Sequence, residues 1–328
     1  VGEDHQRAKL PDTTVRAMRA ATHGRNDMST QIATMTMQEY IAHKAVSSGL
    51  CHRILAQSPL HAWIDSPWNP AREQDNSAVA DIGTIAHACL LEGGTNALAV
   101  IDPEDYRAKN GNIPDGWTNK AIRGARDTAR AEGKIPILVE QFEGVHMMVI
   151  AAKTYLASSE LAGILDDGEP EVTMLFDMNG LACKARADFL ATDRRICLSY
   201  KTTLGSAKPD AWIRTQLPGY DAATLFYERA VRIAYGVDAC IAVHLVQEQQ
   251  PPFSCSLVAL SPAWRELAAA KLDSALETWR RCVENDAWPA YPTRIAYAEP
   301  RAWQINEAEE MQVNTAFSEV ELEGGIPL

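Results

Sequence analysis

A stretch of alternating residues near the middle of the chain, Gly180 to Thr203, limits the fold more than any other segment. In its first half Cys183, Ala185, Ala187 and Phe189 are small or apolar, and Lys184, Arg186 and Asp188 fall between them. Strand side chains point alternately to opposite faces, so the three charged residues share one face. A polar turn over 191–195 follows, with Thr192, Asp193 and two arginines. Beyond it Ile196, Leu198 and Tyr200 point one way, and Cys197, Ser199 and Lys201 the other. Two alternating runs joined by such a turn predict a β-hairpin. Where its polar faces coincide, the carboxylate of Asp188 and the ammonium of Lys201 meet at one end of a sheet.

A carboxylate beside a lysine on adjacent strands suits a hard-metal site that cuts phosphodiester bonds. The surrounding text predicts an α/β setting. Helical spacing starts near Thr36, with Leu50, Ile54 and Leu55 on one side, and Ala78 to Leu91 reads as a buried helix carrying His87. On composition alone that histidine is an ordinary core residue. Leu98–Ile101 is a short strand, Val139–Leu165 a long amphipathic helix with Phe142, Val145, Val149, Ala152, Tyr155 and Leu156 as its stripe, and Glu171–Asp177 a further strand. A helical block over 209–236, strands at 239–247 and 253–260 and a closing helix at 262–284 complete the pattern. One α/β domain with a helical N-terminal lead fits best. The expected divisions are a polar extension over 1–30, a domain over 31–305, and an acidic tail over 306–328, solvated and without fixed structure.

Those words, taken together, resemble the PD-(D/E)XK nuclease superfamily, in which an Asp is followed a hairpin later by Asp/Glu-x-Lys; here these are Asp188 and Ser199-Tyr200-Lys201. The text SSGLCHRILAQSPLHAW, DIGTIAHACLLEGG, EVTMLFDMNGLACKARADFL, YKTT, PGYDAATLFY and DAWPAY, in that order, is similar to the exonuclease VIII (RecE-like) branch of phages and prophages. The resemblance implies a restriction-endonuclease-like core: a central mixed sheet flanked by helices. It implies a Mg²⁺- or Mn²⁺-dependent deoxyribonuclease acting on double-stranded DNA ends in phage-type recombination. It also implies a single-strand annealing protein as partner, a homo-oligomer around DNA, and a phage- or prophage-encoded protein in the bacterial cytoplasm. Gly83-Thr84-Ile85-Ala86-His87 matches the family's Gly-Thr-x-x-His, which makes His87 a metal ligand with Asp188 and the backbone carbonyl of Tyr200. Lys201 orients the attacking water or stabilises the charge that develops. Lys184, Arg186, Tyr220 and Tyr227 are the expected DNA contacts.

Two positions depart from the family. Ser199 stands where an acid is usual, and Ala223 stands where the helix motif Gln-x-x-x-Tyr has glutamine, although Gln216 and Tyr220 share that spacing. A hydroxyl brings no charge to a hard dication. Either an acid comes from elsewhere, with Glu171 and Asp221 as candidates, or metal binds weakly and cleavage is slow, or the fold only binds DNA or a partner as a catalytically degenerate assembly protein. A net charge of −12 is unusual for a nucleic-acid protein. A local basic groove on an acidic body is compatible with it, and Lys120, Arg123, Arg126, Arg130 and Lys134 form one basic run. No apolar run is long enough to span a bilayer and no signal-peptide pattern opens the sequence, so no membrane role is expected. Seven scattered cysteines without a CxxC pair predict free thiols rather than a zinc or iron–sulfur site. No phosphate loop, nucleophile elbow or dinucleotide fingerprint supports a small-molecule enzyme.

Overall fold

The structure, a computed structural model, describes residues 30–72, 82–94 and 98–323. The extension expected over 1–30 therefore lies, apart from Thr30, outside the described residues. The chain divides into two units, Val1–Ala290 and Tyr291–Leu328.

The first unit opens with a short strand, β1 (Gln31–Ala33), and three helices, α1 (Met37–Ala42), α2 (Ser48–Ala56) and α3 (Pro59–Ile64). Each helix starts where a hydroxyl caps it. Thr36 accepts from the Glu39 amide, and Glu39 returns the bond in a capping box; Ser47 and Ser58 cap the next two. Next come α4 (Ile82–Leu91), β2 (Leu98–Ile101), α5 (Lys120–Ala131), β3 (Ile135–Leu138) and α6 (Val139–Ala157). The predicted helix over 139–165 stops at Ala157. Ser158 and Ser159 turn their hydroxyls onto carbonyls of the last turn, and Gly163 adopts φ +80, which ends the regular winding. The central strands follow as β4 (Gly168–Met178), β5 (Leu181–Ala191) and β6 (Ile196–Thr203). The block at 209–236 is split at Gln216, just before Pro218, into α7 (Pro209–Thr215) and α8 (Leu217–Tyr235). Then come β7 (Ile241–Glu248), β8 (Cys255–Ala259) and α9 (Pro262–Asn285).

The main sheet has six strands in the order β1-β4-β5-β6-β7-β8. Only the β6–β7 pair is parallel, so the sheet is mixed. A parallel pair needs a crossover, and α7 and α8 supply it. β2 and β3 form a separate parallel pair. Apolar packing lies on both sides of the main sheet. Cys197, Ala242 and Val246 join a core with α2, α8 and α9, whereas Leu198, Tyr200, Val243 and Leu245 join one with α4 and α6. Four tryptophans tie the leading helices to the end of α9: Trp63 lies 5.1 Å from Trp288, Trp288 4.9 Å from Trp279, and Trp279 5.4 Å from Trp68, between ring centroids. Each such pair adds about 0.5–1.5 kcal/mol beyond its burial.

Gly168, which opens β4, faces the residue beside Asp188. A Cβ there would lie 2.3 Å from Cε1 of Phe189 and 2.6 Å from the Leu190 carbonyl oxygen. Gly168→Ala is expected to cost about 1–3 kcal/mol through forced backbone movement. A lowered midpoint in urea unfolding checks it, and an unchanged midpoint would show that β4 yields freely.

The second unit contains α10 (Ala302–Glu323). The acidic tail, expected to lack fixed structure, is thus helical over 306–323, as its run of Glu, Gln, Met and Ala permits, and its last five residues lie outside the described residues.

Candidate metal and phosphodiester site

Four elements deliver side chains to one place. The strands β5 and β6 pair only at Phe189↔Leu198 and Leu190↔Cys197, so they part at Asp188 and Ser199. In the gap the Asp188 carboxylate replaces the missing ladder partner. Its Oδ2 accepts from the Ser199 hydroxyl at 2.8 Å and from the Tyr200 amide at 3.2 Å. Lys201 Nζ lies 3.5 Å from the same oxygen, and His87 Nε2 lies 3.7 Å from it. Burial alone would favour the neutral acid, but Lys201, His87 and Ser199 outweigh it and hold Asp188 well below the usual carboxylate range.

His87 comes from α4, whose neighbouring Ile85 and Ala86 are buried. Burial pushes its pKa down, yet Asp188, Glu171 and Glu92 together carry it above the ordinary histidine value. Glu171 comes from β4. Its Oε1 lies 3.8 Å from His87 Nε2, and its Oε2 accepts from Arg186 Nε. Burial raises the Glu171 pKa against the opposing pull of Arg186. The backbone at Glu171 is left-handed, φ +54, in the middle of a strand and opposite Asp188 in register. A glutamate there costs about 1–3 kcal/mol in local strain. Strain of that kind persists only where the surroundings impose it, and here Arg186 and His87 hold the side chain.

Glu92, just past the end of α4, completes a cluster. One donor atom each from His87, Glu92 and Glu171 lie within 4.8 Å of one another. Sequence reasoning missed Glu92. The available signal was its place in DIGTIAHACLLEGG, five residues after His87 at the helix end, where an exposed acid looks like ordinary surface.

The other predicted residues fall in three groups. Tyr220 and Tyr227 stand near the site: Tyr220 is partly exposed, stacks on Trp212 and lies 5.9 Å from Lys201 Nζ, whereas Tyr227 packs into the core against Ser48. Arg186 is directed inward, to Glu171 and to the Met35 carbonyl at 3.0 Å, and so serves to fix Glu171. Lys184 and Asp221 are not brought to the site. Lys184 is buried, and its ammonium donates to the carbonyls of Tyr40 at 2.6 Å, His43 at 2.7 Å and Ile41 at 3.3 Å, which closes it off from a DNA surface. Asp221 is buried between α8 and α9, where its Oδ2 accepts from Lys271 at 2.6 Å and Trp264 at 3.2 Å, which occupies the carboxylate that was a candidate replacement acid. The Tyr200 side chain lies in the core and donates to Gln247, leaving only its backbone for the site. Most of the basic run lies on α5, where Arg123 binds the carbonyls of Trp117 and Thr118 and Arg126 pairs with Asp127; beyond the helix end Lys134 pairs with Glu132.

The donor set suits a hard divalent cation. Carboxylate oxygens with one imidazole can hold a divalent cation, and no cysteine joins them among the described residues. No helix among the described residues is long and apolar enough to cross a membrane.

Residues 60–300 match the family model described as a PDDEXK-like domain of unknown function (DUF3799). No curated protein matches. Among solved structures, the crystal structure of a "Putative exonuclease" from Eubacterium rectale is similar at 10% identity and a TM-score of 0.48, covering 83% of this chain and 98% of that one. The crystal structure of SSO0001 is similar at 14% identity and a TM-score of 0.24, covering 66% of this chain and 100% of that one. At these values the two likenesses support no statement about chemistry.

Proposed function

The chain belongs to the family of PDDEXK-like domains, with the restriction-endonuclease-like fold, and from that premise we propose that it is a metal-dependent deoxyribonuclease acting at the ends of double-stranded DNA. Nucleases of this superfamily generally use divalent metals. The observation that carries the reading is the meeting of Glu171 with His87 beside Asp188, where Ser199 leaves a carboxylate missing. On this reading the acid comes from β4, two strands away from β6 across the sheet.

His87, Asp188 and Glu171 would hold the cation, with Glu92 at the rim and the Tyr200 carbonyl as a further oxygen. When bound, Mg²⁺ or Mn²⁺ neutralises phosphate charge and lowers the pKa of a water that becomes the nucleophile. Lys201, whose ammonium lies 3.5 Å from Asp188, would orient an attacking water and stabilise the negative charge that develops on the phosphate oxygens. Ser199 positions Asp188 by spending its hydroxyl on Oδ2. Arg186 positions Glu171 in the same way. The resemblance to the RecE-like branch supports a recombination role with an annealing partner and an oligomer around DNA.

Digestion of end-labelled linear duplex with Mg²⁺, with Mn²⁺ and with EDTA tests the reading. Loss of label with a metal and none with EDTA is expected. Retained DNA binding without cleavage in either metal would instead assign the degenerate, DNA-binding role.

A further inference from the structure

Three consecutive residues of β6 address one oxygen, Oδ2 of Asp188: Ser199 through its hydroxyl, Tyr200 through its amide and Lys201 through its ammonium. The backbone that carries them has a strand neighbour on one side only. β6 leaves β5 after Leu198, whereas it stays in register with β7 from Ile196 to Thr203. A strand held along one edge has fewer hydrogen bonds to resist displacement, and any shift here moves all three groups together.

The Tyr200 side chain supplies a second hold. Alternation turns it away from Asp188 and into the core with α4 and α6. There its hydroxyl meets Gln247, a fully buried residue of β7 that stands opposite Thr202 in register. Nε2 of Gln247 uses both its protons, one on the Met148 carbonyl at 2.9 Å and one on the Phe253 carbonyl at 3.1 Å. Two carbonyls thereby fix the orientation of the amide, so Oε1 faces Tyr200 and the tyrosine donates. Gln249 repeats the device two residues on, its side-chain amide donating to the Thr202 hydroxyl at 2.9 Å. Met148 belongs to α6 and packs in one cluster with Ile85 and Leu90 of α4, the helix that carries His87. Gln247 thus ties the strand of Lys201 to the helical layer of His87.

We infer that Gln247 is a positioning residue of the metal site: through the Tyr200 hydroxyl it fixes the main chain from which Ser199, Tyr200 and Lys201 reach Asp188. The inference rests on the nuclease reading above. An apolar side chain would serve packing alone, and a buried amide is costly unless its groups are paired. Fully paired, it admits one position of the ring where an apolar contact admits several.

The test compares Tyr200→Phe and Gln247→Met with Ser256→Ala. Ser256 makes a buried bond of similar kind, from its hydroxyl to the Ala207 carbonyl at 2.6 Å, away from the proposed metal ligands. Phenylalanine keeps the ring and methionine keeps the length, so packing changes little in either. Each full-length variant is titrated calorimetrically with Mn²⁺ below its thermal midpoint, then assayed on end-labelled duplex over a Mg²⁺ series. Tyr200→Phe and Gln247→Met should each bind Mn²⁺ about tenfold or more weakly, and need correspondingly more Mg²⁺ for half-maximal cleavage. Ser256→Ala should lower the midpoint and leave metal affinity alone. Wild-type Mn²⁺ affinity in either site variant overturns the inference, as does an equal loss in Ser256→Ala, which would mark general loosening. The two readings fail separately. Weakened Mn²⁺ binding in both variants, without DNA cleavage by the wild type, removes the nuclease and keeps the anchor. Cleavage by the wild type with unchanged metal affinity in the variants removes the anchor alone. A wild type that binds no Mn²⁺ removes both.

Discussion

Asp188→Asn is expected to leave a folded protein whose DNA cleavage falls by roughly a hundred- to a thousandfold or more. Asparagine matches the aspartate in shape and retains one oxygen for the Ser199 and Tyr200 donors. It lacks the charge that Lys201 and His87 both face, and with it the anchor for a dication. Lys201→Ala should fall as far, for the complementary reason that no other ammonium lies on Asp188 among the described residues. Lys201→Arg should rescue little, because a planar guanidinium directs its donors differently from a compact ammonium. End-labelled duplex digestion measures the loss, and circular dichroism melting separates it from unfolding. Full activity in both Asp188→Asn and Lys201→Ala would show that the site lies elsewhere.

Glu171→Gln should be nearly as damaging, and it should also raise the Mg²⁺ concentration needed for half-maximal activity. Glutamine keeps the length and one acceptor for Arg186 while removing the negative charge that Ser199 does not provide. The contrasting variant is Asp221→Asn. Its carboxylate is committed to Lys271 and Trp264, so it should cost roughly 1–3 kcal/mol of stability and leave cleavage and metal dependence unchanged. The pair of results locates the moved acid. If Glu171→Gln cleaves normally over a full Mg²⁺ titration, the acid has not moved to β4.

The hairpin was legible because strict alternation over both strands admits few alternatives, and its register brought Asp188, Ser199 and Lys201 together as expected. His87 was legible only through the family's Gly-Thr-x-x-His spacing, since a histidine among small residues looks like core. β1 was missed because three residues are too few to show a period, and β3 because Pro136 within it argues against a strand. The inward turn of Arg186 and Lys184 was hidden for a different reason. The face they share is covered by the leading segment, and nothing local to β5 announces what will be laid across it. The left-handed backbone of Glu171 is likewise a product of tertiary packing, as glutamate has no intrinsic preference for that conformation. Some words that carried the resemblance proved to be mortar rather than machinery. Trp63 and Trp288, from HAW and DAWPAY, pack against each other in the core with their rings tilted by 30°, and the Leu60 amide donates to the Pro289 carbonyl.

Two cations of β5 reach back across the chain to main-chain oxygens: Arg186 to Met35, and Lys184 to Tyr40, Ile41 and His43. This decides where the protein can be shortened. A fragment beginning at residue 44 would keep every proposed metal ligand, yet Lys184, four positions from Asp188, would lose its carbonyl partners, and Arg186, two positions away, would be left with Glu171 alone. The shortest fragment that keeps both anchors therefore begins before Met35, and a cut between α1 and α2 would loosen them without touching a proposed metal ligand.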